Sequence, residues 1–448
     1  MQFCIDKMQA MDVALVTKII QRWRTEEHPN LCRYFDYYMG NQAILRKHYK
    51  DPSKPCNHIV TNYCDNIVNN YTGYITGLPV TYKSQADMAE VQDVLRYNDV
   101  KTKDSELLRM ALIFGKSYEL HYMDEDGKER FDVLDTRTGI PVYDNTIERA
   151  LLYFIRFYPA DTLSDNPDIL VDVYTPMTVD HYRCGAMCEN MTLLDSTPHY
   201  FGQAPVTVLS LNADELPIFY KVMDLQDAYN TLLSGEVDDF EAFCDAYLVL
   251  QGTDAEEEDI AAMRENRVLL LPADNASASY LTKNISDTQI QNILQNLNDA
   301  IHKLANSPDF SQESFGVSSG IALRFRLLGF ENTASAIAAN MTKALQKRIE
   351  LICAITTIKG AETLWRDMEI VIDRNIPVND VEAANMVNTL RGLVSDKTLL
   401  TQLPFVTDVD AEIEAVQEQK AENIELYGFG EPAGAAESEG DADEQAEQ

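Results

Sequence analysis

The longest helical pattern in the chain constrains its architecture most. It runs from about Ile321 to Ile358, and Gly329 is its only interruption. Helices in globular domains usually span roughly 8–20 residues, so one of this length is typical of a structural strut. Small residues dominate its middle: Ala334, Ser335, Ala336, Ala338 and Ala339. We therefore expect this helix to approach neighbouring helices closely.

A shorter helical pattern, within residues 37–82, has an unusual polar side. Its apolar residues recur at spacings of three and four: Ile59, Val60, Tyr63, Ile67, Val68, Tyr71 and Ile75. Pro55 and Asn57 stand where this helix would start, and Gly77 and Pro79 where it would stop. The polar side carries short side chains: Asn62, Asp65, Asn66, Asn69 and Asn70. Because Asn is a poor helix former, so many amides predict a face that meets another protein surface.

Composition excludes several classes of protein. The 448 residues include 72 acidic and 37 basic ones, which gives a net charge of −35 and argues against tight, non-specific binding to DNA phosphates. The first residues lack a secretory signal pattern, and no window has the roughly 18–20 apolar residues of a membrane span. Eight scattered cysteines fit a reducing cytoplasm. Residues 431–448 have no basic residue and predict a disordered acidic tail.

Helices and strands alternate along the chain in blocks, which predicts an α+β fold of two to four structural units. Residues 11–50 read as helical, with Trp23 and the aromatic cluster Tyr34–Tyr38 as core candidates. Between 117 and 211 the pattern changes to strands, and Asp126-Gly127 predicts a hairpin turn. Helices are predicted from near 214 to 250 and from 286 to 304, with strands near 268–271 and 280–281 between them. A strand at 368–373 precedes helices at about 380–391, 396–403 and 408–425.

Chemical motifs are weak throughout. Gly115-Lys116-Ser117 imitates the end of a phosphate-binding loop, but Met110 stands where that motif needs glycine. The acidic residues 256–259 form a contiguous run of the kind that is simply solvated.

One group of potential metal ligands lies in the strand-rich part. His181, Cys184 and Cys188 are close in sequence but have no second ligand pair, so we read the two thiols as packed side chains. We expect no catalytic residue, no metal and no cofactor.

The segment 37–82 resembles the N-terminal part of the portal (head-to-tail connector) proteins of tailed double-stranded DNA bacteriophages. The residues that carry the resemblance are Tyr37, Tyr38, Gly40, Ile44, Pro55, Asn57, Ile59, Asn62, Tyr63, Gly73, Tyr74, Gly77, Pro79, Val80 and Tyr82. Residues 266–268 and 280–283 are similar to the strands of the portal clip, and 308–323 to the tunnel loop and its helix. Residues 392–412 resemble the helical crown, whereas 117–211 and the acidic tail show no specific likeness.

The resemblance implies a mainly helical portal fold of wing, stem, clip and crown, with a β-rich section in the wing. The implied boundaries are 1–220 for the wing, with 117–211 as its β-rich part, 221–250 and 286–306 for the stem helices, 251–285 for the clip, 307–320 for the tunnel loop, 321–375 for the long wing helix and strand, 376–430 for the crown and 431–448 for the tail.

The resemblance also implies a function and partners. Copies of the chain would form a ring, usually of twelve subunits, at one capsid vertex of the virion after assembly in the host cytoplasm. Genomic DNA would be packaged and ejected through the ring without sequence-specific binding and without enzymatic activity. The implied partners are the terminase large subunit, the major capsid and scaffolding proteins, and a head-completion (adaptor) protein, with no membrane. An acidic hydrolase and a non-portal virion scaffold or adaptor are the alternatives.

Three sets of residues are implied as functional sites. The DNA-facing tunnel loop would use Asp309, Ser311, Gln312, Glu313, Ser314 and Val317. The clip would meet terminase or adaptor through Glu256, Glu257, Glu258, Asp259 and Arg264. The subunit interface would use Asn62, Asn66 and Asn69.

Overall fold

The structure, a computed structural model, describes most of the chain. The described residues are 2–49, 51, 54–165, 167–244, 247–251, 277–281, 287–310, 320–355, 365–375, 380–401, 403, 406, 409 and 412–419. They combine helices with sheets, which confirms the predicted α+β class. The chain divides into two compact units, residues 1–375 and 376–448.

The N-terminal part of the first unit is mainly helical. Its α-helices are α1 (Val13–Glu26), α2 (His28–Met39), α3 (Tyr63–Thr76), α4 (Ala89–Tyr97) and α5 (Val100–Phe114). Trp23 is 1% exposed and lies edge-on to Phe157, with 5.1 Å between the ring centroids. Tyr34 and Tyr37 are buried as well. The prediction of these aromatic residues as core is therefore confirmed.

The first ten strands of the described residues include nine that form two sheets, and β2 (Thr81–Lys83) pairs with a later strand. The strands are β1 (Phe3–Ile5), β2 (Thr81–Lys83), β3 (Lys116–Met123), β4 (Glu129–Leu134), β5 (Gly139–Asp144), β6 (Leu151–Pro159), β7 (Ile169–Tyr174), β8 (Thr178–Cys184), β9 (Thr192–Pro198) and β10 (Val206–Ser210). One sheet has the order β1-β5-β6-β7-β8-β9, with β1 parallel to β5 and the other neighbours antiparallel. The other has the order β10-β3-β4 and is antiparallel. The predicted β-rich section is confirmed.

The predicted turn between β3 and β4 is also present. The backbone N–H of Gly127 donates a hydrogen bond of 3.0 Å to the carbonyl of Asp124. Gly127 has φ = 70°, a left-handed conformation that glycine adopts without a steric penalty. The turn therefore brings the two strands back alongside each other as the sequence indicated.

A helical hairpin with a two-stranded ribbon comes next. Helix α6 (Met223–Cys244) is followed by β11 (Tyr247–Gln251), which pairs antiparallel with β12 (Ser277–Leu281), and α7 spans Asp287–Leu304. The prediction that the first helix continues to residue 250 is wrong, because residues 247–251 pair as a strand. A short apolar run has too few residues for its period to separate helix from strand. The predicted strand 268–271 lies outside the described residues.

The long helix is present and continuous. Helix α8 (Gly320–Ile355) has 36 residues, so the predicted strut is confirmed. The predicted interruption at Gly329 is wrong, because the helix passes through this residue. Its inward side contains Phe330, Ala334, Ile337, Ala338, Met341, Ala344 and Leu345, all buried. Strand β13 (Glu369–Val371) pairs antiparallel with β2.

The second unit contains further helices where they were predicted. These are α9 (Asp380–Leu390) and α10 (Asp396–Leu400), and residues 412–419 are helical as well. Ser395 caps α10, since its Oγ accepts a hydrogen bond from the backbone N–H of Thr398 at 3.4 Å.

Candidate functional site at the base of the helical hairpin

A ladder of polar side chains on α6 holds the segment that precedes α3. The ladder consists of residues spaced every four positions: Gln226, Asn230, Ser234 and Asp238. Ser234 Oγ accepts a hydrogen bond of 3.0 Å from the backbone N–H of Ile59. Asn230 Oδ1 accepts another of 3.0 Å from the backbone N–H of Thr61. Both ladder side chains are fully buried, so these bonds satisfy polar groups that water does not reach.

Asp238 extends the ladder to a basic residue. Its Oδ1 accepts a hydrogen bond of 2.6 Å from the backbone N–H of Asn57. Its Oδ2 lies 3.0 Å from Nζ of Lys47. Burial works against the ionised form of Asp238, but the bonds from Asn57 and Lys47 outweigh it and lower the pKa of this carboxyl.

The spacing of the ladder matches the segment that it binds. Four residues of an α-helix rise about 6.0 Å, and two residues of an extended chain rise about 6.6 Å. Every fourth side chain of α6 therefore meets every second backbone N–H of residues 57–61. This arrangement keeps residues 57–61 extended, so the prediction that α3 starts near Pro55 and Asn57 is wrong.

Asn62 is the residue that starts α3. Its Oδ1 lies 3.5 Å from the backbone N–H of Asp65 and caps the helix. Its Nδ2 donates a hydrogen bond of 2.7 Å to the carbonyl of Tyr38. Both ends of the Asn62 amide are therefore used within the chain.

Tyr63, the first residue of α3, contacts both helices of the hairpin. Its ring is edge-on to Tyr229 of α6 at 5.4 Å and to His302 of α7 at 5.8 Å, measured between ring centroids. Its hydroxyl donates a hydrogen bond of 2.8 Å to Oδ1 of Asn298. Burial raises the pKa of this hydroxyl, which stays protonated. Since Tyr229 is near the start of α6 and His302 near the end of α7, the two helices run antiparallel from this base.

A cleft of about 440 Å³ opens beside Tyr63. Its lining comprises Thr61, Asn62, Tyr63, Asn66, Asn70, Asn298, His302, Pro308, Asp309 and Phe310. The cleft thus joins Asn62 and Asn66, expected at a subunit interface, with Asp309, expected in the tunnel loop. These two predicted sets come from residues more than 240 positions apart in the sequence.

The amides of α3 also bond with one another. Asn70 Nδ2 donates hydrogen bonds to Asn66 Oδ1 at 2.9 Å and to Ser307 Oγ at 3.2 Å. Asn69 lies outside the cleft lining, and its Nδ2 donates to Oδ1 of Asp65 at 3.0 Å. The remaining predicted site residues lie outside the described part of the chain: Ser311, Gln312, Glu313, Ser314, Val317, Glu256, Glu257, Glu258, Asp259 and Arg264.

A buried ionic network ties α8 to α5 and β3, and the sequence did not reveal it. Arg348 is fully buried and donates to both carboxylate oxygens of Glu119, at 2.8 and 2.7 Å. It also pairs with Asp104 of α5. Burial opposes ionisation of Glu119, but the Arg348 charge outweighs it and lowers the pKa of Glu119 to about 2. Burial raises the pKa of Asp104 to about 6, and the attraction of Arg348 only partly offsets that rise.

His121 lies on the same side of β3 as Glu119. Its Nδ1 is 3.0 Å from Oε1 of Glu129. Burial disfavours the charged ring, but the hydrogen bonds to Glu119 and Glu129 outweigh burial and raise the pKa of His121. The polar side of this strand is therefore buried, although its alternation with Tyr118 and Leu120 is the pattern of a half-exposed strand.

The segment Gly115-Lys116-Ser117, which imitates the end of a phosphate-binding loop, has a structural role. Gly115 ends α5 with φ = 82°, and Lys116 is buried in the first position of β3. Nζ of Lys116 lies 2.9 Å from Glu27 and 2.8 Å from Glu215. The ammonium group is thus committed to two carboxylates.

The other candidate ligands also have structural surroundings. Cys184 and Cys188 are buried, and Nδ1 of His181 lies 2.7 Å from Asp172. Among the described residues, no three His, Cys, Asp or Glu side chains converge as metal ligands. No helix in the same residues has both the length and the apolar character needed to span a membrane.

Residues 17–426 match the family model described as "Phage portal protein, SPP1 Gp6-like". The chain therefore belongs to the phage portal proteins, which are structural, non-enzymatic components of the virion. Within that class its family is the SPP1 Gp6-like one. The resemblance indicated by the sequence is confirmed, and the alternative of an acidic hydrolase is wrong.

Two curated relatives and one solved structure extend the comparison. The chain is 24% identical to the portal protein of Clostridium phage phiCD119, over 86% of this chain and 91% of that protein. It is 22% identical to the portal protein of Bacillus phage SPP1, over 92% of this chain and 88% of that protein. A structure titled "Neck of native GTA particle computed with C12 symmetry" is 12% identical and covers 76% of this chain and 89% of its own, with a TM-score of 0.47.

Proposed function

We propose that this chain is the subunit of a ring-shaped channel at one capsid vertex, through which genomic DNA is packaged and later ejected. The observation that carries the proposal is the helical hairpin of α6 and α7 in a chain of the portal family. Tyr63 and the ladder fix the base of that hairpin to α3, and the β11–β12 ribbon lies at its other end.

The portal architecture assigns a role to each part of the chain. Helices α6 and α7 form the stem, and residues 251–285, which include β12, form the clip. Residues 1–220 and 321–375 form the wing, 307–320 the tunnel loop and 376–430 the crown. The antiparallel hairpin and its terminal ribbon support this division, since a stem needs two long helices joined through a compact tip.

The clip is the part that docks the terminase large subunit and, later, the head-completion protein. Its proposed contact residues are Glu256, Glu257, Glu258, Asp259 and Arg264. The ribbon supports this role, because it lies at the end of the hairpin remote from the helical core. The major capsid and scaffolding proteins meet other surfaces of the ring.

The negative charge of the chain supports a channel through which DNA passes without being bound tightly. Each copy has a net charge of −35, so the ring as a whole repels DNA phosphates. Its excess of acidic residues leaves few cations to displace the counterions of the DNA. Asp309, which lines the cleft, belongs to the proposed tunnel loop. Asn62, Asn66 and Asn69 remain our proposed contact with a neighbouring subunit.

Deleting residues 311–314 tests the channel role. Heads assembled with the deleted chain should contain portal rings but less packaged DNA than wild-type heads, because the loop is proposed to face the DNA. The DNA content of purified heads and their portal content measure the two effects separately. Normal filling by the deleted chain would contradict the assignment of the tunnel loop.

A further inference from the structure

Helix α8 has two opposite faces of different character. Its inward face is buried, with Ala334 at 0% and Ala338 at 7% exposure. Its outward face runs along one side at helical spacing and consists of Phe325, Leu328, Gly329, Asn332, Ala336 and Ala339. All six are exposed, so the small residues of this helix divide between the core and the surface.

Two large apolar side chains lie at one end of the outward face. Phe325 is 74% exposed and Leu328 is 54% exposed. They stand one turn apart, and their apolar atoms face water in this subunit. Further along, Ala336 and Ala339 leave the helix backbone accessible to a close neighbour.

From residue 325 to residue 339 the outward face carries no charge, in a chain whose charged residues make up 24% of the sequence. Lys343, one turn further along the same side, is the first charged residue on it. Between residues 325 and 340 the charged side chains are Arg326 and Glu331, and both lie off this face by helical spacing. Glu331 bonds instead with Tyr74 and, at 3.2 Å, with Arg374. A polar, solvated helix side would be expected to carry Lys and Glu at these positions.

This lack of charge identifies the kind of partner. A basic protein would be recognised through carboxylates, and DNA through cations, and the outward face offers neither. A second copy of the chain brings another −35 charges, so copies approach with least repulsion where charge is missing. An uncharged helix face with small residues and an apolar end fits such a copy.

We propose that the outward face of α8 packs against a neighbouring copy of this chain in the ring. The inference rests on the proposed function, since it names one contact of that ring. The contact is heterologous, so that a different surface of the next copy covers the face and repetition closes the ring. The face is about 21 Å long, from fourteen residues of helical rise. A standard interface buries about 800 Å² on each partner, so this face supplies one part of the contact.

Two glutamate variants test the contact. Ala336→Glu and Leu328→Glu place a charge on the outward face, and Glu is a good helix former, so α8 should persist. Leu194→Glu is the matched control, because Leu194 is 56% exposed on β9, close to the 54% of Leu328. Circular dichroism of each variant confirms that the chain is folded.

Light scattering over a concentration series gives the fraction of chains in rings. Both outward-face variants should raise the concentration of half-assembly at least tenfold, and Leu194→Glu should leave it within twofold. The proposed contact is overturned if the outward-face variants assemble like wild type, or if the control raises the concentration of half-assembly by the same factor. Either result leaves the proposed ring itself unaffected. A wild-type chain that stays monomeric at every concentration overturns the ring itself.

Discussion

The hydroxyl of Tyr63 donates a hydrogen bond of 2.8 Å to Oδ1 of Asn298, which joins the first residue of α3 to the last turns of α7. The preceding residue, Asn62, caps α3 and binds the carbonyl of Tyr38. Asn62 therefore starts α3, and the adjacent Tyr63 fixes the base of α7. Both residues belong to segment 37–82, which carries the family resemblance. In the structure this segment attaches α3 to the hairpin of α6 and α7.

Replacing Tyr63 by Phe should destabilise the chain by roughly 0.5–1.5 kcal/mol, because the ring contacts remain and one hydrogen bond is lost. Urea unfolding at a fixed protein concentration measures the change. Tyr200→Phe is the control, since Tyr200 is 81% exposed, and its midpoint should not move. An unchanged midpoint for Tyr63→Phe would show that this bond contributes nothing to the base of the hairpin.

Replacing Ser234 by Ala should leave the backbone N–H of Ile59 without its 3.0 Å acceptor. A buried donor without a partner costs about 1–3 kcal/mol, and hydrogen exchange at Ile59 should become faster. Thr231→Ala, on the exposed side of α6, should change the free energy of unfolding by less than about 0.5 kcal/mol. Equal exchange rates at Ile59 in wild type and Ser234→Ala would contradict the ladder.

Replacing Asp104 by Asn should change how stability depends on pH. The folded-state pKa of Asp104 is about 6, above its ordinary value of 3.8. A raised carboxyl pKa contributes stability that is fully present below pH 3.8 and is lost as pH rises through 6. Asn cannot ionise, so the variant should gain on wild type with rising pH, by up to about 3 kcal/mol at pH 8.

Urea midpoints at pH 5 and pH 8 capture about half of this difference, because pH 5 already lies above 3.8. Asp126→Asn, in the exposed turn before Gly127, should follow the pH profile of wild type. An Asp104→Asn variant that is less stable than wild type at pH 8 would show that the ion pair with Arg348 outweighs the cost of burying the charge.

Replacing Arg348 by Met should destabilise the chain by roughly 3–5 kcal/mol, because Glu119 loses a buried partner at 2.7 Å. Lys347→Met changes the neighbouring residue, whose side chain is 33% exposed and pairs with Glu350. That control should cost less than about 1 kcal/mol. Similar losses for the two variants would mean that the buried network has no special weight in holding α8.

Regular periodicity predicted the elements that depend on local sequence. The length of α8 followed from the apolar pattern and from the lack of proline, although the interruption expected at Gly329 does not occur. The buried residues Ile67 and Tyr71 of α3 followed from three-and-four spacing. Each of these outcomes depends on residues within a few turns of one another.

Long-range contacts decided the elements that the sequence missed. The start of α3 was predicted too early, because Ser234 and Asn230, about 170 residues away, hold Ile59 and Thr61 extended. The signal that could have found the ladder is the four polar residues at every fourth position of α6, although other polar residues of that helix, such as Asp227 and Glu236, obscure it. The signal that could have found Arg348 is its helical spacing from the apolar residues Ala344, Leu345 and Ile352.

Electron microscopy of the purified full-length chain tests the central proposal most directly. Class averages should show rings with a central hole, usually of twelve subunits, with the helical hairpins of α6 and α7 arranged around the opening. A compact monomer without a ring, at concentrations where light scattering also finds only single chains, would contradict the portal channel.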